Sequence, residues 1–317
     1  MELLTRVEDR GFPLDYLLSR IRGKRACLVS DWNNMMFSGN ALEYLASSSY
    51  RGFVKATSPE GLRRDLMKEY RWIYLRLNRA LLGVLSPFFL YCELRTIYIC
   101  LRHIKDGAMS KTGQVLFDSL LSDEMKDIFG KGSDISSTVR EIEKVFSGLS
   151  KTFERVGEVF DHEGLRGFER ELTVRYLVMA AGDRLHPLMK DFFVHIIDAR
   201  NIISLYKFMR LRPGSVPAFI PLGSVSGSVF TEIIEQNDDM RLYRLAGLRG
   251  EGPSHLTIEG TLYRNMTIFL KKAGRDPLGV GQILDYLWRC SIEAMNLRVL
   301  SYGADIPKEK VSMELVN

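Results

Sequence analysis

The chain has 317 residues, of which 46% are apolar and 26% charged. That composition can supply more than one core and excludes a disordered tail or a collagen-like fibre. A net charge of +5 favours an acidic partner or lipid headgroups but falls short of a nucleic-acid-binding tail. The four cysteines, at 27, 92, 100 and 290, form no CxxC and read as reduced thiols packed as small hydrophobes.

At the start of the chain, Glu2, Arg6, Glu8, Asp9 and Arg10 interrupt what would have to be the apolar run of a signal peptide, so a mature cytosolic start is expected. Further on, Leu66, Tyr70, Ile73 and Leu77 fall at the spacing of a buried helix stripe. The charge-free stretch Ala80 to Cys92 is 13 residues long and contains Gly83, Ser86 and Pro87. A membrane-spanning helix needs about 20, so none is expected here. The stripe returns as Leu172, Tyr176 and Met179, and again as Leu262, Met266 and Phe269. After each stripe comes a proline, in Ser86-Pro87, His186-Pro187 and Asp276-Pro277, which predicts the first turn of a second helix with Ser or Asp as N-cap. Those second helices are expected to stop at Asp106-Gly107, Pro213-Gly214 and Gly303.

The second helices share a signature. Glu93-Leu-Arg-Thr-Ile97 recurs as Asp198-Ala-Arg-Asn-Ile202 and as Glu293-Ala-Met-Asn-Leu297, at offsets of 105 and 95 residues, each after an aromatic-rich apolar run. Three helical hairpins with little β-alternation between them predict an all-α protein of three related modules, 1–107, 108–214 and 215–317. Glu93, Asp198, Asn201, Glu293 and Asn296 are then the structural signature. Around Asp198 the helix is apolar nearly all round (Phe192, Phe193, Ile196, Ile197, Ile202), so its acid is expected to be buried and to need partners. A proton carrier and a structural network to an Arg or a neighbouring helix end are the two readings. Repetition in all three modules favours the second.

No catalytic constellation appears. The five histidines, at 103, 162, 186, 195 and 255, include no HExxH, and no glycine run has the Lys-Ser/Thr of a phosphate loop. There is no GxSxG. A non-catalytic protein without metal or cofactor is the expectation.

These motifs, with Tyr16-Leu-Leu-Ser-Arg-Ile-Arg22, Leu45-Ala-Ser-Ser-Ser-Tyr50, the run from Tyr286 to Gly303 and Ile306-Pro307, resemble the C subunit of prokaryotic V/A-type rotary ATPases, the relative of the d subunit of eukaryotic V-ATPases. Residues 108–165 match least, and Thr96 stands where the other two repeats have Asn. The resemblance implies a pseudo-threefold, funnel-like arrangement of three similar helical subdomains. It further implies a rotor adaptor between the central-stalk subunits and the proteolipid ring, peripheral on the cytoplasmic face of the membrane and monomeric when isolated, serving proton or sodium transport. The alternatives are a helical-repeat scaffold without an ATPase partner and, more remotely, a basic RNA-binding protein, for which no aromatic-basic motif is present. Arg95 and Arg102, matched by Arg200 and Lys207 and replaced by Met295 and Tyr302 in the third repeat, are the candidate stalk contacts, two basic walls and one apolar wall. The bland reading of these residues is ordinary solvated charge on amphipathic helices. Arg64, Lys68 and Arg71 make a further basic face.

Overall fold

A computed structural model describes residues 3–7, 11–29, 31–37, 59–132, 134–182, 185–211, 214–248, 257–276, 279–303 and 306–316. The motif Leu45 to Tyr50, His255, Pro213 and Pro277 lie outside the described residues. The fold is all-α. In chain order the helices are α1 (Leu14–Arg25), α2 (Trp32–Phe37), α3 (Pro59–Tyr74), α4 (Arg79–Lys105), α5 (Thr112–Leu116), α6 (Asp123–Gly130) and α7 (Ile135–Leu149). They continue as α8 (Val156–Ala180), α9 (Pro187–Leu211), α10 (Gly227–Gln236), α11 (Asp239–Leu245), α12 (Ile258–Ala273), α13 (Val280–Tyr302) and α14 (Lys308–Glu314). Three long helix pairs, α3 with α4, α8 with α9 and α12 with α13, stand where the repeat predicts hairpins. The signature helices are α4, α9 and α13.

Their ends follow local chemistry. Asn78 caps α4 by accepting from the Leu81 N–H at 3.0 Å, so α4 begins well before the expected Ser86-Pro87 start and Pro87 is interior. Proline forfeits one helical bond. Leu85, Phe88 and Phe89 beside it are almost fully buried, and that packing carries the helix through. α9 does begin at Pro187, and the cap is the ring of His186, whose Nδ1 accepts from the Leu188 N–H at 3.3 Å. α13 begins at Val280 rather than at Asp276, whose carbonyl accepts from Gln282 Nε2 at 3.2 Å. α4 stops at Lys105, and Gly107 takes φ 69°; α13 stops before Gly303. Leu77 lies past the end of α3 yet is fully buried.

The helices gather into two compact units, Met1–Phe12 with Met67–Phe193, and Pro13–Leu66 with Val194–Asn317. The first has an aromatic core in which Tyr70, Tyr74, Phe88 and Phe89 meet edge to face at centroid distances of 5.1–6.1 Å. Tyr176, fully buried, donates to the Pro87 carbonyl at 2.6 Å. Its surroundings hold its hydroxyl well above the usual tyrosine range, chiefly through desolvation, with Cys92 and Tyr91 adding to it. The chain start pairs here with a loop: Thr5 N–H donates to Leu120 at 2.7 Å and Ser122 N–H to Leu3 at 2.9 Å.

The second unit holds one cluster of Trp32, Met35, Met36, Leu62, Leu297, Val311 and Leu315 and another around Ile202, Leu205, Phe230, Ile233 and Leu242. On α13, Asp285 is fully buried between Arg25 and Arg289, each 3.0 Å away. Among the described helices α4 is long and apolar enough to cross a membrane, but 56% of its most apolar window is buried within the protein. Glu93 at its middle is also fully buried.

Candidate functional site

Each signature acid meets a loop. In the first repeat, Glu93 accepts from the Leu120 N–H at 2.5 Å and from Ser119 Oγ at 2.9 Å. In the second, Asp198 accepts from Ser224 Oγ at 2.5 Å and from the Val225 N–H at 3.3 Å. The register is the same, a serine hydroxyl and then the next backbone amide. In the third, Glu293 is nearly buried and accepts from the Val29 N–H at 3.1 Å, across 264 residues of sequence. The expectation of a buried Asp198 needs correcting: it is half-buried, because the loop on it is itself partly exposed.

The amides act as a second clamp. Asn201 donates to the Ile220 carbonyl and accepts from the Ile220 N–H, both at 2.8 Å. Asn296 does the same to Val316, at 2.8 and 3.0 Å. A carboxamide can pair with both polar groups of one backbone residue, as a neighbouring strand would. Buried loop backbone has few other ways to satisfy those groups. Thr96, fully buried at the corresponding place on α4, has no carboxamide to offer such a pair. Its loop is instead held by the Arg71 guanidinium on the Ser119 carbonyl, at 3.1 Å, and by the Leu3–Thr5 segment. Lys126 is near this loop. Burial first, and then Arg71, press its ammonium below the usual lysine range, with Asp123 and Glu93 opposing.

At Gly223 a Cβ would stand 2.4 Å from Asp198 Oδ1, so the bare backbone lets the loop lie against the acid without displacing the carboxylate.

The candidate stalk contacts divide. Arg95 and Arg200 are exposed on α4 and α9. Arg102 forms a two-point pair with Glu169 on α8, Nε to Oε1 at 2.9 Å and Nη2 to Oε2 at 2.5 Å, and the pair raises its pKa. Glu169 is almost buried. Lys207 meets Glu259 on α12 at 3.4 Å, both ends exposed. Met295 is half-buried, and Tyr302 is 66% exposed. Of the further basic face, Arg64 and Lys68 are exposed, whereas Arg71 faces the loop at 119.

Sequence reasoning missed Glu169, Glu259, Val29 and the Arg25–Asp285–Arg289 cluster. Ser119 and Ser224 carried a readable signal, a serine 26 residues after each of the first two acids.

Hydrogen-bonded clamps that fix loops onto long helices, repeated along the chain, define a helical scaffold. The sequence model of the ATP synthase (C/AC39) subunit matches residues 17–311, and the chain belongs to that family of V/A-type ATPase subunits. It is therefore a non-catalytic subunit of a rotary ATPase, with other subunits of that complex as partners. No curated protein matches the chain.

Proposed function

We propose that this chain is the rotor adaptor of its ATPase, joining the central stalk to the membrane proteolipid ring on the cytoplasmic face, so that torque passes through it during proton or sodium transport. Family membership over residues 17–311 is the observation that carries this reading. A torque-bearing adaptor needs loops that do not yield, and the acid clamps on α4, α9 and α13, with the amide clamps on α9 and α13, suit that demand. On this reading the segments 1–107, 108–214 and 215–317 are three similar subdomains around a pseudo-threefold axis. Glu93, Asp198, Asn201, Glu293 and Asn296 serve structure rather than ion carriage. Arg95 and Arg200, exposed on their helices, are the candidates for stalk contact. Arg102 and Lys207 could serve it only while still holding Glu169 and Glu259.

The test is co-purification of the tagged protein, a monomer when isolated, with detergent-solubilised ring and with stalk subunits. Binding to both, with no ATP hydrolysis by the isolated chain, is the expected result. Binding to neither would favour a helical scaffold that works without an ATPase partner.

A further inference from the structure

Every position of α13 from Gly281 to Cys290 is buried except Arg289, which is half-exposed. Gln282, Asp285 and Arg289 stand at i, i+3 and i+7 and so share one face of the helix. Two arginines from α1 meet that face. Arg22 donates through Nε to Gln282 Oε1 at 3.2 Å, and Arg25 reaches Asp285 Oδ2 through Nη1 at 3.0 Å. Arg289 gives its Nε to both oxygens of the same carboxylate, at 3.0 and 3.2 Å. Each arginine thus commits a single nitrogen. Arg102 offers the contrast within this chain, since it spends Nε and Nη2 together on Glu169, the two-point geometry of a completed ion pair. Among the described residues nothing engages the remaining nitrogens of Arg22, Arg25 and Arg289. A staple between α1 and α13 needs one arginine on Asp285, and Arg289, on the same helix as the acid, joins nothing further. Three guanidiniums beside one carboxylate leave two positive charges over, with side-chain exposures of 35% at Arg25 and 28% at Arg289. Their anchors are fixed: Asp285 is fully buried, and Gln282 is tied at its other end to the Asp276 carbonyl. Forks held in advance by buried partners lose little freedom when an anion arrives.

We propose that Arg22, Arg25 and Arg289 form a binding site for a phosphoryl dianion. Charge and valence select that ligand. A phosphoryl group carries about two negative charges at neutral pH and three acceptor oxygens, one for each fork, whereas a carboxylate brings one charge and two oxygens. A soluble phosphate compound and a phospholipid headgroup present the same chemistry to the arginines. Gln282 and Asp285 are positioning residues, which aim the forks and do not touch the ligand. The site does not depend on the adaptor reading.

The experiment titrates the full-length protein with inorganic phosphate by calorimetry and, separately, sediments it with phosphatidylcholine vesicles that carry phosphatidic acid. Saturable binding of phosphate is expected, about tenfold weaker in R22Q, which leaves both partners of Asp285 in place. A similar loss is expected in R25K/R289K, which keeps positive charge beside Asp285 but removes the forks. Both variants are expected to keep the wild-type melting temperature, and R22Q alone decides should the double variant melt early. Vesicle binding that free phosphate competes away assigns the site to a headgroup, whereas phosphate binding without vesicle binding assigns it to a soluble ligand. Absence of saturable binding to either probe, or wild-type phosphate affinity in R22Q, would overturn the proposal. Polyglutamate that displaces phosphate at a lower concentration of charge would overturn it in favour of an acidic partner segment.

Discussion

The second and third signature helices solve one problem with different parts of the chain. On α9 both clamps close on nearby sequence: Asp198 holds Ser224 and Val225, and Asn201 holds Ile220. On α13 the amide clamp is as local, Asn296 on Val316 20 residues on, but the acid closes on remote sequence, Glu293 on Val29. Arg264 adds a bond to the Leu315 carbonyl at 2.8 Å, with burial pressing its pKa down. Leu315 and Val316 are themselves fully buried, whereas Ile220 is half-buried. Identical chemistry therefore secures a surface loop in one place and stitches separate segments of one unit together in the other. A clamp whose loop can reach water loses less when it is cut, because solvent replaces the lost partner.

The sharpest way to break this comparison is to cut the buried clamps and the exposed ones in parallel. Glu93→Ala removes a fully buried acceptor from two donors and is expected to cost about 3 kcal/mol or more, against about 1 kcal/mol for Asp198→Ala, in urea unfolding. Equal costs would show that burial does not set the difference. Next, Asn296→Leu leaves the Val316 N–H and carbonyl without partners in the core and is expected to cost about 2–4 kcal/mol. Asn201→Leu is expected to cost about half as much and to expose only the loop near 220 to limited proteolysis. A smaller contrast separates the two ion pairs. Arg102→Ala strands the nearly buried Glu169 and is expected to cost about 1–2 kcal/mol, while Lys207→Ala, at an exposed pair, costs about 0.5 kcal/mol or less.

A pH-dependent effect concerns Tyr176. Its pKa is raised in the folded state, so the folded hydroxyl stays neutral while the unfolded one ionises above about pH 10. The unfolded chain then binds fewer protons, and the stability that Tyr176 contributes is full below that pH and falls as pH rises beyond it. Tyr176→Phe is expected to cost about 1 kcal/mol at neutral pH and to flatten this alkaline decline, as followed by melting temperature against pH.

The helical stripes and the two-helix rhythm are legible in the sequence because they are local. Tyr70, Ile73, Leu77, Leu172, Tyr176 and Met266 are buried as the spacing requires, whereas Leu66, Met179, Leu262 and Phe269 are half-buried. Helix starts are less legible. Pro87 reads as a start because proline suits a first turn, but Asn78 upstream is a better cap and the aromatic core outweighs one missing hydrogen bond. The signature acids stand out by repetition, and the serines that hold two of them were readable at their shared offset. The third partner was not, since nothing in a 264-residue separation announces that Val29 meets Glu293. Arg102 and Lys207 read as free cations for a similar reason: Glu169 and Glu259 sit on other helices, and only the fold brings them into reach.

The central claim, that the signature acids hold backbone rather than carry ions, is tested most directly by native-state hydrogen exchange at the amides of Leu120, Val225 and Val29. Each is compared in the wild type and in Glu93→Ala, Asp198→Ala and Glu293→Ala. The account predicts that each substitution speeds exchange at its own amide by about tenfold or more and leaves the amides held by the other two acids near their wild-type rates. Unchanged protection at all three amides, alongside loss of ion transport in the assembled complex, would contradict it.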